Sequence, residues 1–166
     1  MEGHSDHVCV ALELIINTFS TDIENGEFNI AALIGGDGAC DWSYSVGLHR
    51  CFGHPELLIV GLDAGFTGAI LELLGTEVAQ GRVIQPGEEV TVIDGLVMRT
   101  HLVDPLWRSM GEWFALGQAV MSRWGAKWPD TIQLLWADDS GRYPERLGDP
   151  YWMLRQPLLS AQHCNA

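Results

Sequence analysis

Lysine is nearly missing from this chain of 166 residues: Lys127 is the single one, and nine basic residues in all face 22 acidic ones, for a formal net charge of −13. A surface of that sign repels phosphate backbones, and no basic stripe relieves the repulsion, so nucleic acid is not an expected partner. Dense acidic runs are lacking too. The longest are pairs such as Glu88-Glu89 and Asp138-Asp139, too sparse for a mimic of DNA, and the charge reads as ordinary solubility. Long hydrophobic runs are also missing, since no stretch approaches the ~20 consecutive apolar residues that a membrane-spanning helix requires. Met1 to His7 is polar and lacks the basic-then-apolar order of a secretory signal, which reads as a cytoplasmic chain with no membrane partner. The four cysteines, Cys9, Cys40, Cys51 and Cys164, are scattered without a C-x-x-C pair. Neither a disulfide framework nor a zinc ribbon is expected, and most of them read as reduced, buried or half-buried thiols.

What is present is apolar material, 47% of the chain, enough for one sizeable core. The chain reads as one domain over 1–166, its core running from about residue 5 to about residue 160 between a short polar N-terminus and a C-terminal tail. Ser5 or Asp6 can cap a first helix on which Val8, Ala11, Leu12, Ile15, Ile16 and Phe19 share a face. Asn25-Gly26 marks a turn, and Phe28 to Ile34 reads as a largely buried strand that stops at a glycine-rich loop. From Trp42 to Leu48, large apolar residues alternate with Ser43, Ser45 and Gly47, the period of a strand with one packed face. The space beside those small residues suits a helix, a neighbouring sheet or a ligand.

Leu57 to Leu62 predicts another buried strand. Asp63 caps a second helix with an apolar stripe from Phe66 to Val78, and Gly81 ends it. Strands near 89–93 and 96–103 join through Asp94-Gly95, the dipeptide of a type I′ hairpin, in which both positions need positive φ. Asp104-Pro105 opens a third helix that runs to Gly125. A last strand spans Thr131 to Ala137, and the Pro- and aromatic-rich tail from Arg142 is expected to wrap the surface. Direct hairpins outnumber crossovers, which predicts an α+β fold. Its sheet is mostly antiparallel or mixed, open or rolled toward a barrel, and flanked by about three helices.

Motifs with a known chemistry are scarce. The loop after Ile34 has neither G-x-x-x-x-G-K-[ST] nor G-x-G-x-x-G and leads into a strand, so it is not a phosphate cradle. Reactive side chains are densest from His49 to Glu56. His49, Cys51 and His54, with His101 or an acid, make a metal set conceivable, but the spacing fits no zinc motif and no metal is assigned. The plainer reading of His54 is a side chain that hydrogen-bonds loop backbone, and that of Cys51 a half-buried thiol rather than a nucleophile. Ser43 and Ser45 lack the G-x-S-x-G elbow of a serine hydrolase. Most of the seven tryptophans serve a core face. Trp136 differs, because it shares a strand end with Gln133 and Asp138, and an aromatic face beside an amide and a carboxylate can bind a planar ligand. The alternative is an edge tryptophan that caps the core.

Tyr44-Ser45-Val46-Gly47-Leu48, Phe52-Gly53-His54-Pro55-Glu56-Leu57 and Gln133-Leu134-Leu135-Trp136 with Asp138, Gly141 and Arg142 form three blocks. Through them the chain resembles the bacterial family named domain of unknown function 4262, over about Glu27 to Leu159. No activity is established for that family, so the resemblance implies membership without mechanism. It marks Tyr44, Ser45, Gly47, His54, Pro55, Glu56, Gln133, Trp136 and Asp138 as the positions where the blocks concentrate. Cys51 is not among their defining letters, which weakens its reading as nucleophile or metal ligand.

Three functions compete on this reading. The first is a small-molecule-binding domain whose ligand is planar and nucleotide- or flavin-like, held by Tyr44, Ser45, Gly47, His54, Glu56, Gln133, Trp136 and Asp138. Short strands with glycine-bearing turns, as in split-barrel flavin proteins, give only fold-level analogy for a flavin cofactor. The second is an interaction protein, a phage-type regulator or a sequestering protein, suggested by small size and acidity. The third is a hydrolase or transferase with His54 as general base, oriented by Glu56 or Asp138. A homodimer would cover sheet edges and spare tryptophans. The pocket expected for these readings is a hollow between side-by-side strands that start at Trp42 and Thr131.

Overall fold

The computed structural model describes residues 3–145 and 148–161, with side chains from residue 9 onward. Cys164 lies outside the described residues. Six helices and six strands follow in chain order: α1 Gly3–Glu24, β1 Asn29–Leu33, β2 Trp42–Val46, α2 Leu48–Phe52, β3 Glu56–Val60, α3 Ala64–Ala79, β4 Glu89–Thr91, β5 Val97–Leu102, α4 Pro105–Ser109, α5 Gly111–Ser122, β6 Thr131–Leu135 and α6 Pro150–Met153. The strands form one open mixed sheet in the order β1-β2-β3-β6-β5-β4. It does not close into a barrel. β1, β2 and β3 are antiparallel neighbours, as are β6, β5 and β4. The two halves meet at the parallel pair β3–β6, with Glu56 opposite Thr131 and Leu58 opposite Gln133. The strands that start at Trp42 and Thr131 are therefore not side by side, because β3 lies between them.

Alternation along the strands divides the interior into two cores, one on each face of the sheet. Tyr44, Val46, Leu58 and Val60 pack with Ile16 and Ile23 of α1 and with Phe114, Val120 and Met121 of α5. Leu57, Ile59, Ile132 and Leu134 pack on the other face with Ile70, Leu71, Leu74 and Val78 of α3. β3 and β6 are buried along their whole length, as expected for a central parallel pair covered on both faces.

Local signals explain most boundaries. Asp63 Oδ1 accepts from the Phe66 backbone N–H at 3.0 Å and starts α3. Asp94 and Gly95 both take positive φ, 55° and 74°, in the β4–β5 turn. The expected third helix is two: Asp104 caps α4, and Met110, with ψ 124°, breaks the run before α5. The first helix is already formed at Gly3, so neither Ser5 nor Asp6 stands at its start.

The tail does more than wrap the surface. Gln156 and Leu159 are fully buried, and Trp152 and Leu158 nearly so. Trp152 belongs to α6, whose cap Asp149 accepts from the Tyr151 N–H at 3.0 Å. The tail also crosses Gly61, which has φ +88° and where an added Cβ would lie 1.5 Å from the Arg155 carbonyl oxygen. Only glycine fits there.

Candidate functional site

The eight residues expected to hold a ligand fall into separate groups. The first group surrounds Glu56 at the start of β3. Gly47, with φ 118°, turns the chain from β2 into α2. The fully buried Glu56 carboxylate receives the backbone N–H groups of Gly47, His49 and Leu48 at 2.9, 3.1 and 3.3 Å. Ser45 Oγ donates to it at 2.5 Å and accepts from the Leu57 N–H at 2.9 Å. Burial pushes the carboxyl up to about 7, against the pull of these hydrogen bonds. The space beside the small residues of β2 is thus filled from within. Ser43 meets Thr67 of α3 at 2.8 Å, and Ser45 meets Glu56. Tyr44 points to the opposite core, where its hydroxyl accepts from the Gly117 N–H at 3.2 Å and burial raises its pKa to about 12.

His54 is buried, with both ring nitrogens engaged. Nδ1 lies 2.7 Å from the Pro55 carbonyl oxygen, and Nε2 accepts from the Ile84 N–H at 2.9 Å. With Nδ1 protonated, the neutral tautomer satisfies both bonds. No carboxylate hydrogen-bonds this ring among the described residues. The Cys51 thiol is half-buried between the carbonyls of Ile23 and Glu27, and burial raises its pKa. Cys40 is likewise half-buried and raised by burial, whereas Cys9 is exposed.

Gln133 of β6 serves the tail: its Nε2 donates to the Pro157 carbonyl at 2.8 Å, and its Oε1 accepts from the Leu159 N–H at 2.9 Å. The remaining pair, Trp136 and Asp138, lies just beyond β6. The parallel register sets Glu56 level with Thr131. Trp136 therefore lies five residues further on, ~16 Å along the strands at ~3.3 Å per residue, away from the end where His54 enters β3. The structure brings Trp136 and Asp138 together and leaves the Ser45–Gly47–Glu56 group and His54 at the other end of the sheet.

Trp136 and Asp138 line a cleft of about 490 Å3 at the carboxyl ends of β3 and β6. These are the only parallel neighbours in the sheet, so only here do two adjacent strands end in the same direction. Crevices of this kind are the usual ligand sites of open α/β sheets. Phe66, in the first turn of α3, and Tyr151 of α6 supply further aromatic walls. Trp136 is held rigidly. Its indole N–H donates to the Val60 carbonyl at 2.8 Å, its ring meets Trp152 edge-on at 5.6 Å, and its backbone N–H and C=O both bond the Gln156 side chain.

Two guanidiniums flank Tyr151, Arg155 at 4.3 Å and Arg142 at 5.0 Å from its ring centre. Arg142 is tied to Asp138 Oδ2 through Nε at 2.9 Å and Nη2 at 2.8 Å. The Arg142 backbone N–H, followed by its side chain and the Ser140 N–H, holds the Asp138 carboxyl below the usual range. Arg155 has no carboxylate partner among the described residues. The sequence reading missed Phe66, Tyr151, Arg155 and Gln156. One available signal was Asp149-Pro150, the same Asp-Pro helix start that was read correctly at Asp104-Pro105.

Fold and cleft together define an α+β protein in which a central mixed sheet, covered by helices on both faces, carries an aromatic crevice at its one parallel seam. Residues 22–148 match the family described as Domain of unknown function (DUF4262), and the chain belongs to that family. No curated protein and no solved structure matches it. Among the described residues no helix is long and apolar enough to cross a membrane.

Proposed function

We propose that the protein binds a small planar molecule with one acidic group, of the size and shape of a nucleotide or flavin, in the cleft at the carboxyl ends of β3 and β6. One observation carries this reading. Trp136, Tyr151 and Phe66 line a single crevice with Arg155, a cation that has no carboxylate partner among the described residues. The aromatic faces suit stacking on a flat ring, Arg155 suits its anionic group, and Asp138 with Arg142 closes one side through a fixed ion pair. The volume, about 490 Å3, lies within the range of small-molecule sites.

The test is calorimetric titration with flavin mononucleotide and adenosine monophosphate, beside native mass spectrometry of the freshly purified protein. Binding of either probe is expected, and Arg155→Ala should weaken it about tenfold, the worth of one charge-assisted hydrogen bond. Absence of saturable binding, together with no co-purified molecule, would remove the proposal. For His54 we propose a structural role, because both ring nitrogens are engaged by backbone.

A second reading, an interaction protein, draws support from α1. Val10 and Leu14 lie one turn apart, 69% and 66% exposed, on the side of the helix away from Ile16 and Ile23. If this stripe mediates association, Leu14→Glu will abolish any self-association or partner binding that sedimentation detects in the parent.

A further inference from the structure

A second cavity, of about 560 Å3, opens between α4, α5 and the segment that leads into β6. It sits at the amino end of β6, whereas the aromatic cleft sits at the carboxyl end. It gathers two of the chain's nine basic residues, Arg108 and Lys127, and Lys127 is the only lysine. In a chain of net charge −13, whose acidic residues outnumber its basic ones more than twofold, the two meet one paired carboxylate, Asp130, which leaves a local excess of one positive charge.

The state of the two cations points to a ligand. Arg108 Nη1 pairs with Asp130 Oδ1 at 2.7 Å, and the Arg108 side chain is largely covered. Lys127 is exposed and has no ion-pair partner among the described residues, so Asp130 offsets only one of the two charges.

The walls are fixed in advance. Trp128 stacks on Phe114 with centroids 5.1 Å apart, and its indole N–H donates to Thr131 Oγ1 at 2.9 Å. Gly117 is what admits that ring, because an added Cβ would lie 2.1 Å from it. Gln118 Nε2 donates to the Arg108 carbonyl at 2.9 Å and locks α5 to α4 across the cavity. A rigid pocket spends little ordering entropy on its ligand.

We propose that this cavity is a second, independent binding site for a small oxyanion, a phosphate or carboxylate group held between the Lys127 ammonium and the Arg108 guanidinium beside Trp128. The guanidinium fork supplies directional donors and the ammonium a mobile point charge, the usual division of labour at oxyanion sites.

The experiment is calorimetric titration of the full chain with inorganic phosphate and, separately, with acetate, each at constant ionic strength set by chloride. Saturable binding of phosphate alone assigns a phosphate-type ligand, of acetate alone a carboxylate, and of both a general oxyanion site. Lys127→Ala should weaken binding about tenfold. Its thermal unfolding without ligand should stay unchanged, because the side chain is exposed and has no ion-pair partner among the described residues. Arg108→Lys keeps the charge, loses the fork and should also bind more weakly. Arg82→Ala, an arginine paired with Glu77 outside both clefts, should bind as the parent does. Non-saturable heats for both probes, or affinity in Lys127→Ala within about twofold of the parent, less than one charged hydrogen bond is worth, would overturn the proposal.

Discussion

Glu56 couples one buried carboxyl to the pH response of the whole fold. Burial raises it from the ordinary value of 4.5 to about 7, while Ser45 and three backbone N–H groups pull the other way. Because the folded pKa exceeds the unfolded one, the folded state holds the proton more tightly between those values. This group's stabilising contribution is therefore full below about 4.5 and is lost as pH rises through about 7. Glu56→Gln should flatten that decline, as read from urea midpoints at pH ~5 and pH ~7.5 in parent and variant. The variant should also lose about 1–3 kcal/mol, because an amide cannot accept from all four donors. Parallel pH profiles would show that burial does not set this proton. His54, Glu56 and Gln133 were legible as special residues, since a polar side chain in an apolar setting must be satisfied somewhere. Their partners were not. Ile84 is 30 residues from His54 and Leu159 is 26 from Gln133, and a single sequence carries no signal for such pairings.

Two glutamines stitch the tail to β6 in opposite directions. Gln133 reaches from the strand to Pro157 and Leu159, and Gln156 reaches from the tail to both backbone groups of Trp136. Gln156 behaves as one rung of a strand ladder supplied by a side chain. Gln156→Leu should cost about 1–3 kcal/mol through unsatisfied buried partners. It should also speed hydrogen exchange at the Trp136 amide, and an unchanged exchange rate would sink the idea that the tail positions the aromatic cleft. The six strands were readable because apolar runs, alternation and the Asp94-Gly95 turn agreed with one another. The tail was not, because its buried Trp152, Gln156 and Leu159 keep a helical spacing although the helix stops at Met153 and Pro157 interrupts the segment. The break at Met110 was hidden for a related reason: the apolar stripe continues across it, and the kink is a matter of backbone angle.

Net charge of −13 on a molecule of this size means that like charges crowd its surface at neutral pH. The five ion pairs among the described residues are mostly exposed and offset little of this. Raising salt from about 0.01 M to about 1 M shortens the screening length from ~30 to ~3 Å, so the melting temperature should rise. Each ~1 kcal/mol gained corresponds to about 2–4 °C for a chain of this length, and a flat or falling melting temperature in chloride would refute the expectation. The α+β class and the mixed sheet were legible from element order, whereas openness and strand order were not, because both depend on which edges meet. The meeting that defines this sheet is the parallel one. Leu57 pairs with Ile132, which follows it by 75 positions in the chain. At roughly 5–20 residues per second, a ribosome needs on the order of 4–15 s to deliver the second member after the first. Throughout that interval the nascent chain leaves unpaired one edge of a strand that is apolar from Leu57 to Val60, a natural foothold for a chaperone or for another nascent copy. Anything that slows synthesis between the two lengthens the wait.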